Sequence, residues 1–283
     1  MSTDDTTTTP KNDHPYLTEY FETQLEMVEK NMKDLLNDQE KTLRIALDAN
    51  FRKKYMDDQH AEMNAKLQPL VEKSFVHHDL DKSGVLSKEE SARFFSHFAK
   101  ETKRFVMGTT KLTMVQSMDQ VGQALATQFP SELEDELQIS AKMKKVMESS
   151  MDFMYAQLDG LLEGLHQEYL KNKEQNDAKA FDVVDTAKDG MLHKEEVMKA
   201  MEVGSEQIKK VLEALGFGEA TLAAKLSPVM HEVQVKIAQE AMESFAELDD
   251  DAMEASGLKS SKLKLFVMHK MHDPRHVRCR VGK

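Results

Sequence analysis

The longest stretch without a helix-breaking residue determines the fold class. Residues 16–68 contain neither glycine nor proline, the two residues that most often interrupt a helix. Within this stretch, apolar residues recur at spacings of three and four, which places them on one helical face. They are Leu17, Phe21, Leu25, Val28, Met32 and Leu35. The pattern predicts a long amphipathic helix over residues 16–68, with breaks expected near residues 37–41 or 49–50.

The rest of the chain has the same character. Nowhere do apolar and polar residues alternate long enough to indicate an ordinary β-sheet, so the sequence predicts an all-α protein. A short helix in residues 205–258 is expected to end at Gly216, where glycine suits a helix terminus. A further helix is expected to begin with Ser227 as N-cap and Pro228 in its first turn.

The charge distribution narrows the choice of partners. The chain carries a net charge of −12, but residues 259–283 hold eight Lys or Arg residues and only Asp273 as an acid. This basic tail has a net charge of +7, which leaves −19 for residues 1–258. An acidic body disfavours nucleic acid and suits divalent cations and basic proteins. The basic tail is expected to contact an acidic protein or membrane surface.

Other features predict a cytoplasmic protein. The only cysteine, Cys279, has no partner for an intramolecular disulfide, as is usual in a reducing compartment. No stretch approaches the roughly 18 apolar residues of a membrane span. Residues 1–15 are polar and threonine-rich, which predicts a disordered arm rather than a secretory signal. No phosphate-binding loop or catalytic motif is present, so an enzyme is not expected.

One short stretch carries recognisable chemistry. Residues 79–90 read DLDKSGVLSKEE, with Gly84 at the sixth position. Calcium takes six to eight oxygen ligands, and a short loop surrounds it when alternate residues point inward around one sharp turn. Oxygen donors stand at positions 1, 3, 5, 7, 9 and 12. They are the side chains of Asp79, Asp81, Ser83, Ser87 and Glu90, and the backbone carbonyl of Val85.

Residues 69–102 as a whole resemble an EF-hand, the helix–loop–helix calcium module of the calmodulin-like superfamily. The apolar residues Val71 and Phe75 precede the loop, and Phe94, Phe95 and Phe98 follow it. The resemblance implies that Asp79, Asp81, Ser83 and Glu90 supply side-chain ligands, Val85 its carbonyl, and Ser87 a direct or water-mediated contact. It also implies a short strand at Leu86, the eighth position. Ser87 and Glu90 match a capping box for the following helix.

A second copy of the pattern lies within residues 174–204. Residues 185–196 read DTAKDGMLHKEE. The matching positions 1, 5, 6, 8 and 12 hold Asp185, Asp189, Gly190, Leu192 and Glu196, and the seventh position offers the Met191 carbonyl. The third position is Ala187, so one carboxylate is missing and weaker calcium binding is expected. His193, at the ninth position, would contribute only through water.

A third trace of the pattern begins at Asp249. Asp249 and Asp251 match the first and third positions, but Glu254 and Ser260 occupy the sixth and twelfth. We interpret it as a decayed hand or, preferably, an ordinary acidic helix end, and expect no calcium there.

Because EF-hands usually work in pairs, the two loops that match the pattern raise the question of how they pair. Either each loop pairs with a degenerate neighbour, or Leu86 pairs with Leu192. The second arrangement is favoured, because no convincing hand adjoins the first loop. Residues 103–173 then form a helical insertion or linker between the paired hands.

The function expected from this resemblance is that of a calcium sensor or adaptor that couples Ca²⁺ to a protein partner. Calcium would draw Glu90 onto the ion, change the packing of Phe94, Phe95 and Phe98, and expose a methionine-rich groove. The alternative is a structural component of a cytoskeletal, axonemal or other large assembly, with the hands as fold elements. A pure calcium buffer is disfavoured, because only one loop is complete.

Overall fold

A computed structural model of the protein describes residues 13–128 and 139–246. Within these ranges there are nine helices and one two-stranded sheet, which confirms the all-α class. The helices are α1 (Pro15–Asn37), α2 (Gln39–Leu47), α3 (Ala49–His78), α4 (Lys88–Gln128), α5 (Ile139–Lys171), α6 (Lys173–Val184), α7 (Lys194–Ala200), α8 (Glu206–Ala214) and α9 (Glu219–Ala246), and the strands are β1 (Val85–Leu86) and β2 (Leu192–His193). None of the described helices combines the length and apolar character that a membrane-spanning helix needs.

The helix predicted over residues 16–68 is divided by two aspartates. Asp38 Oδ1 accepts a hydrogen bond from the Lys41 N–H at 2.9 Å. Asp48 Oδ1 accepts from the N–H groups of Asn50 and Phe51, each at 3.0 Å. Each aspartate satisfies backbone donors that a helix start leaves free, so each begins a new helix. The breaks lie within or next to the two places that the sequence indicated.

Pro69, which directly follows the helix predicted over residues 16–68, and Pro228, predicted in a first turn, both lie inside helices. Pro69 is within α3 and Pro228 within α9, so the prediction that Ser227 caps a new helix is wrong. An internal proline costs about 3 kcal/mol because its ring removes a hydrogen bond and crowds the preceding turn. In α3 the neighbouring turns bury Leu67, Leu70 and Val71, and each buried side chain of this kind contributes roughly 1.5–3 kcal/mol. Their burial therefore outweighs the cost of the proline.

Two other predicted boundaries have different outcomes. The boundary expected near residue 103 is not a helix end, because α4 continues from Lys88 to Gln128 with Gly108 inside it. One glycine costs a helix only about 1 kcal/mol. The predicted end at Gly216 is confirmed, since α8 stops at Ala214 and Gly216 has a φ of 88°. That left-handed conformation favours glycine.

The described residues divide between two compact units. Of the described residues, the first unit combines 13–110 with 162–222, and the second combines 111–128 and 139–161 with 223–246. In the described part of the second unit, α5 packs against α9. The Lys236 ammonium lies 5.1 Å from the centre of the Phe153 ring, and Glu240 accepts hydrogen bonds from the Ser149 and Ser150 hydroxyls. Its buried apolar residues are Val146, Met154, Leu158 and Val233.

The centre of the first unit is the sheet formed by the two predicted loops. β1 and β2 are antiparallel, with Val85 opposite His193 and Leu86 opposite Leu192. Both leucine side chains are fully buried. The prediction that Leu86 pairs with Leu192 across the intervening residues is therefore confirmed.

The helices that flank the two loops pack in a reciprocal manner. The helix that enters the first loop, α3, contacts the helix that leaves the second, α7, and the Gln68 amide donates to the Met198 carbonyl at 3.1 Å. Likewise α6, which enters the second loop, contacts α4, which leaves the first, and Lys173 Nζ donates to the Ala92 carbonyl at 3.1 Å. Two helix–loop–helix segments thus form one packed body around the shared sheet.

The arm predicted over residues 1–15 ends earlier than expected. His14 is only 3% exposed, and its Nε2 lies 2.8 Å from Glu101 Oε1 on α4. The His77 ring bonds the Asp13 carbonyl at 2.7 Å, and Pro15 starts α1, where its missing N–H costs nothing. Burial of His14 and the hydrogen bond to the Asp13 carbonyl therefore fix this segment against α3 and α4. Residues 1–12, the third trace at 249–260 and the tail at 259–283 lie outside the described residues.

Candidate metal centre

The two loops share a backbone conformation. Gly84 and Gly190, at the sixth positions, have φ angles of 84° and 81°, as the sequence predicted for the sharp turn. Lys82 and Lys188, at the fourth positions, both have a φ of 57°. Sequence reasoning missed the lysines, because a side chain in this conformation costs roughly 1–2 kcal/mol and no lysine pattern signals it. The same strain at equivalent positions shows that both loops follow one path.

Three carboxylates converge in the first loop. One oxygen each of Asp79, Asp81 and Glu90 lie within 4.8 Å of one another. Calcium–oxygen distances of about 2.3–2.6 Å allow ligands on opposite sides of an ion to be about 5 Å apart. The three oxygens can therefore share one cation. In the part of the chain that the structure describes, this is the one such group of histidine, cysteine or acidic side chains.

Backbone donors hold the first two carboxylates in place. The Ser83 N–H donates to Asp79 Oδ1 and Asp81 Oδ1, both at 2.9 Å. The Gly84 N–H donates to Asp79 Oδ2, also at 2.9 Å. Hydrogen bonds from the Ser83 hydroxyl and N–H lower the pKa of Asp81. The turn at Gly84 therefore orients both carboxylates towards the loop centre.

Glu90 closes the loop from the first turn of α4. Its Oε2 accepts from the Ser87 N–H at 2.9 Å and the Ser87 hydroxyl at 2.8 Å. Its Oε1 accepts from the Leu80 N–H at 2.7 Å. The Glu90 N–H donates back to Ser87 Oγ at 3.3 Å, which confirms the predicted capping box. Burial raises the pKa of Glu90, but hydrogen bonds from Ser87 and Leu80 outweigh it and lower the pKa overall.

The remaining oxygen donors of the first loop are also adjacent. The Ser83 hydroxyl donates to the Val85 carbonyl at 3.0 Å, so the donors predicted at positions 5 and 7 lie side by side. The Ser87 hydroxyl, predicted at position 9, is bound to Glu90. All six predicted metal-ligand oxygens therefore lie in one loop of twelve residues. The three carboxylates are grouped, and each serine hydroxyl is hydrogen-bonded to another of the predicted ligands.

The second loop has the same framework with a different acid arrangement. Asp185 accepts hydrogen bonds from the Asp189 and Gly190 N–H groups at 3.3 and 3.0 Å. Asp189 Oδ2 lies 2.8 Å from His193 Nε2. This contact raises the pKa of His193 and lowers that of Asp189. Because Asp189 pairs with an imidazole and the third position is Ala187, the second loop lacks the three-carboxylate group of the first.

Glu196 occupies the place in the second loop that Glu90 has in the first. Its Oε1 accepts from the Thr186 N–H, the Thr186 hydroxyl and the Ala187 N–H at 2.7–2.9 Å. Its Oε2 accepts from the His193 N–H at 3.0 Å. Met191, whose carbonyl was a predicted donor, donates its N–H to Asp189 Oδ1 at 3.0 Å. Glu196 therefore closes this loop through four hydrogen bonds, as Glu90 closes the first loop through three.

A histidine cluster beside the first loop gave no signal in the sequence. His78, which directly precedes Asp79, donates Nδ1–H to the Ser74 carbonyl at 2.7 Å, and its Nε2 lies 2.9 Å from His97 Nδ1. The His14 ring stacks on His97 with 4.2 Å between centroids. Burial lowers the pKa of His78 and of His97 to about 4. Both imidazoles are therefore neutral at neutral pH.

Comparison of the chain with protein-family models, with curated proteins and with solved structures finds no match. The function is therefore inferred from the residues and their geometry. The first loop offers a group of carboxylates and further oxygen donors on a tight turn. The second loop offers the same backbone with fewer acids.

Proposed function

We propose that the chain is an EF-hand calcium-binding protein that acts as a calcium sensor or adaptor for a protein partner. The observation that carries the proposal is the convergence of Asp79, Asp81 and Glu90 within 4.8 Å on a loop whose sixth residue, Gly84, is left-handed. Such a loop brings several oxygen donors to one point without unfavourable backbone contacts.

The donor set favours a hard cation such as calcium over zinc or copper. Three carboxylates, the Ser83 hydroxyl and the Val85 carbonyl are all hard oxygen ligands, and water completes a shell of six to eight. Zinc and copper prefer nitrogen or sulfur donors, which this loop does not offer. The neutral Ser83 ligand supplies no charge, so we expect a middling rather than a tight affinity.

Calcium binding is coupled to helix packing through Glu90. In the structure, Glu90 already lies beside Asp79 and Asp81, and its oxygens bond the Leu80 N–H and Ser87. Binding exchanges part of these hydrogen bonds for the ion and thereby repositions the first turn of α4. Phe94 and Phe98 follow one and two turns later and are each 1% exposed. A shift of α4 therefore disturbs a packed aromatic core.

The second loop serves mainly as the structural partner of the first. Its closing hydrogen bonds at Glu196 and the Asp189–His193 pair tie its acidic side chains to groups of the loop itself. The Leu86–Leu192 pairing links it to the first loop. Weaker calcium binding at Asp185, Asp189, Met191 and Glu196 is expected.

The closure of the second loop by its own hydrogen bonds is the one observation that favours the alternative role as a structural component of a cytoskeletal or other large assembly. A loop that is closed by protein groups is a fold element whether or not calcium is present. The two roles differ in their response to the ion. A sensor gains binding of a hydrophobic dye when calcium is added, whereas a structural component does not change and co-sediments with its filament.

Isothermal titration of calcium into three proteins tests the site. Replacement of Glu90 by glutamine removes a charged ligand, and we expect the affinity at the first loop to fall by roughly tenfold or more, which corresponds to about 1.4 kcal/mol. Glu89 is the matched control, because it is the exposed neighbour of Glu90 on the same turn, and Glu89→Gln should bind calcium like the parent. Parent-like binding by Glu90→Gln would show that the site is wrongly assigned.

A further inference from the structure

The first helix buries one face in the body formed by the two loops. The α1 face consists of Leu17, Tyr20, Phe21 and Met27, of which none is more than 6% exposed. Their spacing places them on one side of the helix. Glu19, Glu22, Glu26 and Lys30 on α1 are exposed. α1 is thus an amphipathic helix whose apolar side is covered.

α1 packs along α3, which enters the first loop, and part of its apolar face contacts α4, the helix that leaves it. The Phe21 ring lies 5.2 Å from Phe98 and 5.8 Å from Phe105 on α4. Farther along, Leu25 lies against Gly108, where a Cβ atom would come within 2.6 Å of the Leu25 side chain. The contacts advance in the same order along both helices. α1 therefore runs beside α4, the helix that carries Glu90 in its first turn, over about three turns.

The other anchor of α1 is at the second loop. The Tyr20 hydroxyl donates to the Met201 carbonyl at 3.1 Å, directly after α7 ends at Ala200. Carbonyls at a helix end lack intrahelical partners, and Tyr20 is 2% exposed. α1 therefore bridges the outgoing helices of both loops. We call the surface that receives it the outgoing-helix groove, lined by Phe98 and Phe105 of α4 and by Met201.

A buried polar contact fixes the start of α1. His14 Nε2 lies 2.8 Å from Glu101 Oε1, and these side chains are 3% and 2% exposed. Arg104 donates to both oxygens of Glu101 at 3.0 and 3.2 Å. Separating His14 from Glu101 removes a contact of a buried carboxylate, which is costly. α1 is therefore held by directional contacts as well as by apolar packing.

We propose that α1 is the resident ligand of the outgoing-helix groove, and that calcium at the first loop releases it in favour of an amphipathic helix of a protein partner. This inference rests on the proposed calcium site and identifies its output. Phe98 and Gly108 stand 8 and 18 residues after Glu90, about 12 and 27 Å along the helix. An opening of about 40°, as in sensor hands, displaces the far end by more than about 10 Å. The anchor at Met201 is on the other outgoing helix, so α1 cannot keep both.

The chemistry of α1 specifies the partner. A helix that lies in a groove is recognised through large apolar side chains at helical spacing. In α1 these stand at positions i, i+3, i+4 and i+10, with aromatic rings at the second and third. A tethered helix has an effective concentration in the millimolar range, so a free partner helix competes poorly until the groove opens. Calcium therefore controls access to the groove.

A peptide-binding experiment on the full chain tests the inference. The probe is a fluorescein-labelled synthetic peptide of residues 13–30, and the protein carries Cys279→Ser to remove its only thiol. We expect the peptide to bind at least tenfold more tightly in calcium than in EGTA. The same peptide with Phe21→Ala is the control, and it should lose most of this binding.

A second variant locks α1 in place. Leu25→Cys with Gly108→Cys is suited to a disulfide, because Leu25 Cγ lies 3.5 Å from the Cβ position at residue 108 and the clashing Leu25 methyl groups are removed. The oxidised variant should bind calcium but not the peptide, and reduction should restore peptide binding. Amide hydrogen exchange in residues 17–28 should accelerate with calcium only in the reduced form.

The possible failures are distinguishable by calcium titration of the same samples. Calcium binding without peptide binding in the parent would overturn the role of α1 and leave the calcium site intact. Equal peptide binding to the oxidised and reduced variants, or with and without calcium, would also overturn it. An absence of calcium binding would overturn both this inference and the proposed function.

Discussion

Replacement of Leu86 by alanine is expected to destabilise the body formed by the two loops. Leu86 is fully buried at the sheet centre, opposite Leu192. The change removes three carbon atoms, which at about 0.8 kcal/mol for each buried CH₂ group gives about 2.4 kcal/mol. The cavity left between packed helices adds to this, and such substitutions cost about 3–5 kcal/mol in total. The backbone pairing of β1 with β2 is unaffected, so the loss reports side-chain packing alone.

Urea unfolding followed by far-UV circular dichroism, in EGTA, measures the effect. Leu80 is the matched control, since it lies in the same loop but is 57% exposed, and Leu80→Ala should change the free energy of unfolding by less than about 0.5 kcal/mol. Because Leu86 and Leu192 are paired, the double alanine variant should lose less than the sum of the single losses. If Leu86→Ala costs no more than Leu80→Ala, the sheet is not the centre of the fold.

Two further stability predictions follow from the first unit. Gly204 and Gly216 both have positive φ, but a Cβ atom at Gly204 would lie 2.4 Å from the His60 ring, whereas a Cβ atom at Gly216 would have no neighbour within 4 Å. Gly204→Ala should therefore lower the urea midpoint more than Gly216→Ala does. Equal midpoints for the two variants would contradict this contact. The pKa of His78 in the folded protein, about 4, is below its usual value, so between about pH 6.5 and 4 the unfolded chain binds more protons than the folded protein. The contribution of His78 to the free energy of unfolding should be complete above that range and fall with acidification by at most about 1.4 kcal/mol for each pH unit. Unfolding at about pH 7 and 5.5 should show a smaller loss for His78→Gln than for the parent, and an equal or larger loss in the variant would refute the assignment.

Local features of the sequence account for the parts of the structure that were predicted. The left-handed turns at Gly84 and Gly190, the capping box of Ser87 with Glu90 and the helix end at Gly216 involve residues within a few positions of one another. The pairing of Leu86 with Leu192 was also accessible, because two copies of one pattern carry an apolar residue at the same position. Such features depend on backbone preferences that act over a few residues.

Pro69 and Ser227 show where local preference was misleading. A proline is a local signal for a helix boundary, but Pro69 is surrounded by Leu67, Leu70 and Val71, whose burial the sequence does not reveal. Packing therefore overrode the local cost of Pro69. α9 also continues through Ser227 and Pro228, but both residues are exposed, so burial does not account for it. The breaks at Asp38 and Asp48, in contrast, were foreseen only approximately, because many aspartates in a helical stretch do not cap.

By itself, the sequence determined the helical class and the positions of the two loops, because periodicity and residue spacing are properties of contiguous residues. Only the tertiary structure decided which carboxylates converge, that Asp189 pairs with His193, and that α1 lies in the outgoing-helix groove. His14 and Glu101 are 87 residues apart, and Tyr20 and Met201 are 181 residues apart. Contacts at such separations depend on the path of the whole chain, and no local pattern of residues encodes them.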